Sequence, residues 1–348
     1  MGQIHSRNST VDLLRGLAML MVVLGHTMTG CTLHAEDTLL YNLIWSLQMP
    51  LFMLISGYVT RYSGEIGNGK ALLHVLLKHL RAYLWPWLLW TFLVRGLMFG
   101  NRDLLNLKWL VYHMDTGYWF LFSLWNISLV FDISRYFSNR IKKNANMLQS
   151  MILTGLFYGL GMVLLLAIAV KMGLPFLGLK LTLYYMVFFF LGVIFGKVQK
   201  IMDSDISIYI SETICSIIYL ILLTRFDLFR IEDNIRGIGI RFISSLTGCI
   251  AFAGIVGLLA GGMSRVSDRL TWIGRHTLEI YVIHSLCLCL LRSEPLPECA
   301  AVSGFLLTAV NFVLTLSVTS LAAWLLGRNS ISAAVLFGRK PEKHKVMV

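Results

Sequence analysis

Apolar residues run almost unbroken over ten stretches of this chain, at about 11–30, 39–60, 80–99, 116–136, 150–170, 181–196, 206–224, 236–262, 275–291 and 303–327. Most approach or exceed the roughly 20 residues that carry a helix across a bilayer. The polar connections between them are short. The longest, around 61–79, 100–115 and 137–149, are too small to fold as catalytic domains of their own. The pattern predicts an all-α polytopic membrane protein with about ten transmembrane helices in one bundle over 11–327, a short leading segment at 1–10 and a basic tail at 328–348. The eighth run carries Gly237, Gly239, Gly248, Gly254 and Gly257 and is long enough to tilt or break.

Hydrophobic residues make up 57% of the 348 and charged residues 14%, which excludes an ordinary soluble domain. The basic residues then orient the bundle. With the N-terminus in the cytoplasm, nineteen of the 30 Lys and Arg fall in inner loops and tails and eight in outer loops, while Arg15, Arg95 and Arg241 lie within runs. The positive-inside rule therefore puts both termini in the cytoplasm of a multi-pass protein of the cell membrane. The net charge of +12 reads as a topology signal with some attraction to anionic lipid, and calls for no nucleic-acid partner.

Met1-Gly2-Gln3-Ile4-His5-Ser6 matches a myristoylation pattern, but a chain with ten spans needs no lipid anchor. The first run follows a short basic segment, as a signal peptide does, yet lacks a small-residue cleavage site and is expected to remain in place. Of six cysteines, Cys215, Cys249, Cys287 and Cys289 fall in apolar runs and read as small core residues. Cys31 and Cys299 fall in outer loops and are candidates for a disulfide closing the outer ends of the first, second, ninth and tenth helices. No Cys/His spacing resembles a zinc site, and no metal is expected.

With the loops so short, chemistry must use polar groups inside the bundle, where an ionisable residue is a functional-site hypothesis by default. Arg15 and His26 both lie in the first run. Eleven residues at 100° each return His26 to within about 20° of the face of Arg15, roughly 16 Å further along. Asp12, three residues before Arg15, shares that face. One side of the first helix thus carries carboxylate, guanidinium and imidazole at successive depths. Lys78, Arg81 and Asp132 join Asp12 and Arg15 near the inner ends, with Glu212 and Glu279 about a turn deeper, His284 near the middle, and His26, Arg95 and Arg241 toward the outside. Arg241 can snorkel outward, because side chains tilt toward a helix N-terminus and its helix starts outside. Arg95, on a helix running outward, leans into the bundle and needs a polar or anionic partner there.

Asp12-Leu-Leu-Arg15-Gly-Leu-Ala followed by Gly25-His26 resembles the Arg-x10-His signature of the integral-membrane acyltransferase-3 family. Met49-Pro50-Leu51-Phe52, Ser56-Gly57-Tyr58, Lys78-x-x-Arg81 with Pro86, Tyr118-Trp119-Phe120-Leu121, and Ile273-Gly274 with Tyr281-x-x-His284 extend the resemblance over the whole chain. The opening Arg7-Asn8-Ser9-Thr10-Val11-Asp12 and the Met-Pro-Leu-Phe segment are most similar to the branch of fucose 4-O-acetylase-like sugar O-acetyltransferases. Two positions depart from it. Lys78 replaces one arginine of a common Arg-x-x-Arg pair, which keeps the charge but gives up a bidentate fork, and Gln48 stands where a histidine is common.

The resemblance implies a membrane-embedded O-acyltransferase that moves an acyl group, acetyl being expected, from cytoplasmic acyl-CoA to a hydroxyl of an extracytoplasmic or lipid-linked carbohydrate, as in modification of bacterial cell-envelope polysaccharide. Acyl-CoA would be a co-substrate, with no tightly bound cofactor, and membrane lipid the surrounding partner. Arg15, Lys78 and Arg81 would bind the donor phosphates, His26 would act as general base or as acyl carrier, and Asp12 would orient Arg15. His284, Tyr281, Arg95, Trp119 and Glu279 would bind the acceptor or assist. A transporter or exporter of a small sugar or anionic compound would also need a polar path through ten spans, but no paired interrupted helices in corresponding halves point to one. A structural subunit accounts poorly for a charged stripe along most of the first helix.

Overall fold

The computed structural model describes residues 8–141, 146–198, 205–260 and 264–339. Fourteen α-helical segments follow in order: α1 Ser9–Cys31, α2 Leu39–Tyr58, α3 Gly69–His79, α4 Trp85–Leu88, α5 Leu107–Tyr112, α6 Trp119–Ile141, α7 Met147–Met172, α8 Leu179–Val198, α9 Asp205–Arg225, α10 Ile235–Ala260, α11 Ser264–Arg275, α12 Thr277–His284, α13 Val302–Arg328 and α14 Ser330–Phe337. Among the described residues there is no strand, only one isolated bridge between Leu33 and Glu298. Helix starts follow the local sequence. The Asn8 side chain accepts from the backbone N–H of Thr10 and Val11, and Asn146 and Asn329 cap α7 and α14 in the same way.

Seven of the described helices are long and apolar enough to cross a membrane: Ser9–Cys31, Leu39–Tyr62, Met147–Met172, Phe176–Val198, Ile208–Arg225, Ile235–Leu258 and Val302–Arg328. These are the helices of a multi-pass membrane protein. The other three expected runs take different forms. Over 80–99 the chain winds as wide π-turns, Leu80–Leu84 and Leu89–Met98, on either side of α4. Pro86 lies between them and lacks the N–H an α-turn would need. The run at 116–136 is one helix, α6, but Asp132, Arg135 and Arg140 charge its second half. The run at 275–291 is helical only as far as His284.

The chain divides into two compact units, residues 1–55 with 200–325, and residues 56–199 with 326–348. In the first unit, α1 and α11 approach so closely that a Cβ on Gly16 would lie 2.1 Å from the Leu270 carbonyl oxygen, and one on Gly274 1.7 Å from that of Asp12. Small residues at such a crossing let two backbones touch where apolar burial gives helices in lipid no drive to associate. The α9 helix packs on α10 and exposes Ile214, Ile217, Leu220 and Ile221, a face suited to lipid. Arg241, near the start of α10, reaches back toward the N-terminus as expected, donating to the carbonyls of Leu228 and Ile231 and pairing with Asp233 at 2.7 Å. In the second unit α6, α7 and α8 pack together, with the Tyr158 hydroxyl donating to Met186 O and Thr182 to Ser123.

Candidate functional site

The close crossing of α1 and α11 brings Arg275 onto the first expected site residue. Asp12, almost fully buried, has one carboxylate oxygen 3.2 Å from Arg275 Nε and the other 3.9 Å from Arg15 Nη1. Asp12 therefore stands between two guanidinium groups, the nearer of which the sequence reading missed. Its signal was present in Ile273-Gly274-Arg275, where the glycine permits the approach. Arg15 is half-buried.

Further along α1, the exposed ring of His26 faces His284 at the end of α12, with ring centroids 5.4 Å apart and planes tilted by 35°. His284 is buried. Its Nδ1 lies 2.7 Å from the Tyr281 carbonyl oxygen and 3.2 Å from that of Ile280. A carbonyl oxygen only accepts, so Nδ1 carries the proton and Nε2 is the atom with the lone pair in the neutral ring. The Tyr281 ring lies 5.9 Å from that of His284, and Glu279 is buried in the same short helix. Six expected residues, Asp12, Arg15, His26, His284, Tyr281 and Glu279, thus belong to two neighbouring elements of one unit.

After His284 the chain unwinds, and this changes the expected disulfide. Cys289 sits at φ 55° in the irregular segment and bonds to Cys31, with Cα atoms 5.7 Å apart, while Cys299 is free. The pairing of Cys31 with Cys299 is therefore corrected. A continuous helix would have left Cys289 in the bilayer core, whereas the unwound chain swings it to the end of α1. Asn311 and Thr315 of α13 hold the segment: the Asn311 carboxamide accepts from Leu291 N–H and donates to Leu291 O, and Thr315 donates to Cys287 O. Beyond it, Leu33 exchanges backbone bonds with Pro297 and Cys299, and His34 Nδ1 lies 2.8 Å from Glu298 Oε2. That exposed carboxylate raises the His34 pKa above its usual value, mainly through the hydrogen bond.

The second unit holds the remaining expected residues. Lys78 is exposed at the end of α3. Arg81, in the first π-turn, donates from Nε to Gly338 O at 3.1 Å, while its Nη2 is buried without a hydrogen-bond partner among the described residues. Gly338 ends α14 at φ 63°, and Trp85 and Trp90 donate to the Val335 and Leu336 carbonyls, so α14 is fastened along this segment. The partner that Arg95 needs is the face of Tyr118, 5.7 Å from its guanidinium carbon. Trp119 stacks on Tyr185 at 5.5 Å. An unexpected group sits beside Lys78: His79 Nδ1 lies 2.9 Å from Asp132, whose other oxygen is 3.6 Å from Arg135.

A family model described as an acyltransferase domain, Acyl_transf_3, matches residues 8–328. No curated protein and no solved structure matches the chain.

Proposed function

Because the chain belongs to the Acyl_transf_3 family of acyltransferases, we propose that it is a membrane O-acyltransferase that moves an acetyl group from acetyl-CoA to a carbohydrate hydroxyl, in the manner of the fucose 4-O-acetylase-like branch. The observation that carries this reading is the pair of imidazoles, an exposed His26 against a buried His284 whose tautomer is fixed by backbone carbonyls. A neutral imidazole suits proton abstraction near pH 7. In this reading a His26 ring nitrogen takes the acceptor hydroxyl proton as the oxygen attacks the thioester carbonyl. The tetrahedral adduct then collapses with cleavage of the C–S bond, and the imidazolium returns its proton to the departing sulfur, giving ester and CoA. His284 holds the His26 ring, and Tyr281 and Glu279 complete its surroundings.

Donor phosphates call for cations, and Arg15, Lys78 and Arg81 are the ones this reading assigns to them. The buried, unbonded Nη2 of Arg81 supports an anionic ligand there, since an orphaned guanidinium N–H is costly. Arg95 and Trp119 retain the acceptor-side role in this reading. The donor is expected from the cytoplasm and the acceptor from the opposite face. Purified protein in liposomes, given radiolabelled acetyl-CoA and candidate glycans, tests the reading. The parent should transfer label, and His26→Ala should lose roughly 10²- to 10⁴-fold of that rate. Parental turnover in His26→Ala would remove His26 from the chemistry.

A further inference from the structure

Buried polar side chains in the first unit are mostly bonded: Asn42 serves the 223–228 backbone, Ser46 meets the Tyr219 hydroxyl, and Asn311 holds Leu291. Gln48 of α2 is not. Its side chain is more than nine-tenths buried, yet its Oε1 has no hydrogen-bond partner among the described residues. An acceptor left unmade in this way costs stability, and native structures keep one where a ligand or water completes it. The place is informative. Oε1 lies 3.7 Å from where a Cβ on Gly25 would sit, so the glycine leaves this oxygen against the turn of α1 whose next residue is His26.

An amide oxygen can only accept. At this atom it selects a ligand group that donates, a hydroxyl or N–H. Resting on the acyl-transfer reading above, we infer that Gln48 is a specificity residue for the acceptor. It accepts a hydrogen bond from a hydroxyl next to the one that His26 deprotonates, so the substrate class is a vicinal polyol rather than a simple alcohol.

The test uses purified protein in liposomes, radiolabelled acetyl-CoA, and methyl pyranosides with their mono-deoxy counterparts. With the parent, removal of the hydroxyl neighbouring the acetylated one should cost roughly 10- to 100-fold in kcat/KM. Gln48→Leu should lose a similar factor on the complete sugar and no longer distinguish it from that deoxy analogue, with the acetyl-CoA KM unchanged. Gln48→Glu, which keeps an acceptor oxygen at the same reach, should retain the discrimination. Should Gln48→Leu fail to insert, Gln48→Asn, with its oxygen drawn back by a methylene, is read in its place. Full discrimination in the truncated variant, or loss of it in Gln48→Glu, overturns the inference and leaves acyl transfer standing. A parent that acetylates none of the pyranosides overturns the acyl-transfer reading, and this inference with it.

Discussion

Gly274→Ala is a single methyl placed where two backbones touch. The added Cβ would start 1.7 Å from Asp12 O and 2.6 Å from Asp12 C, distances that real Cβ atoms do not show below 3.0 Å. Neither neighbour is a flexible side chain, so α1 and α11 must part by about 1.3 Å at the crossing. That movement takes the Arg275 to Asp12 contact from 3.2 Å to beyond hydrogen-bond range and tilts the helix that carries His26. Overpacking of this kind costs about 1–3 kcal/mol, and a misplacement near 1 Å at reacting groups costs on the order of 10²-fold. Gly257→Ala is the control, because nothing lies within 4 Å of a Cβ there, and alanine in place of a helical glycine should gain about 0.5–1 kcal/mol. Thermal unfolding in detergent and acetyl transfer in liposomes should show Gly274→Ala destabilised with turnover down roughly 10- to 100-fold, and Gly257→Ala at or above the parent in both. Parental Tm and turnover in Gly274→Ala would refute the close crossing, and with it the claim that Asp12 is held between Arg15 and Arg275.

Three further outcomes follow from the same geometry. The raised pKa of His34 beside Glu298 stabilises the 33–37 loop fully below the unfolded histidine value of 6.5, and the contribution is lost as pH rises through the higher folded value. Hydrogen exchange in that loop should therefore be slower at pH 5.5 than expected from intrinsic rates and lose that extra protection once pH passes the raised folded value, with no such dependence in Glu298→Gln. Mass spectrometry of non-reduced peptides should find Cys31 joined to Cys289, and reduction or Cys31→Ser should lower stability by about 2–4 kcal/mol; a Cys31–Cys299 peptide would contradict the unwound path after His284. Arg81→Ala should raise the acetyl-CoA KM by the equivalent of about 1.5–3 kcal/mol with a smaller change in kcat. Gly338→Ala, whose Cβ would meet Arg81 O at 1.8 Å, displaces α14 while keeping the guanidinium, so an identical KM effect in that variant would assign the Arg81 result to helix docking rather than to phosphate.

What the sequence showed and what it hid divide along a physical line. Hydropathy is a local property, and it located α1, α2, α7, α8, α9, α10 and α13. The stripe of Asp12, Arg15 and His26 was readable because one helix fixes the geometry of its own residues. The contact between Asp12 and Arg275 was not, because it joins residues 263 positions apart and depends on two glycines whose purpose appears only when the helices cross. The wide turns over 80–99 had a local cause in Pro86, but hydropathy does not register winding. The disulfide partner was misread for a related reason: Cys289 sits in apolar sequence, and apolar sequence alone does not reveal where a helix stops.

The stop after His284 is also the strongest structural argument that this end of the first unit was shaped for function. Non-helical backbone inside a span leaves N–H and C=O groups without partners and is tolerated only where protein or a water-filled cavity satisfies them. Leu291 bonds to Asn311, nine residues into α13 and so roughly 13 Å from its start, which places the irregular chain well within a helix long enough to span the membrane. Asn311 and Thr315 are fully buried polar residues of a membrane-length helix, and their bonds go to the irregular segment that a continuous ninth helix would not have contained. The unwound segment instead leaves His284 as the last residue of α12, with its Nδ1 tied to the helix carbonyls and its ring beside His26. Five residues beyond each histidine, Cys31 and Cys289 join, so the covalent link holds together the two strands of chain that present the pair. A bundle evolved only for packing has no reason to break a helix, satisfy the break with buried polar groups and then clamp it at this position, where the break sets two imidazoles side by side.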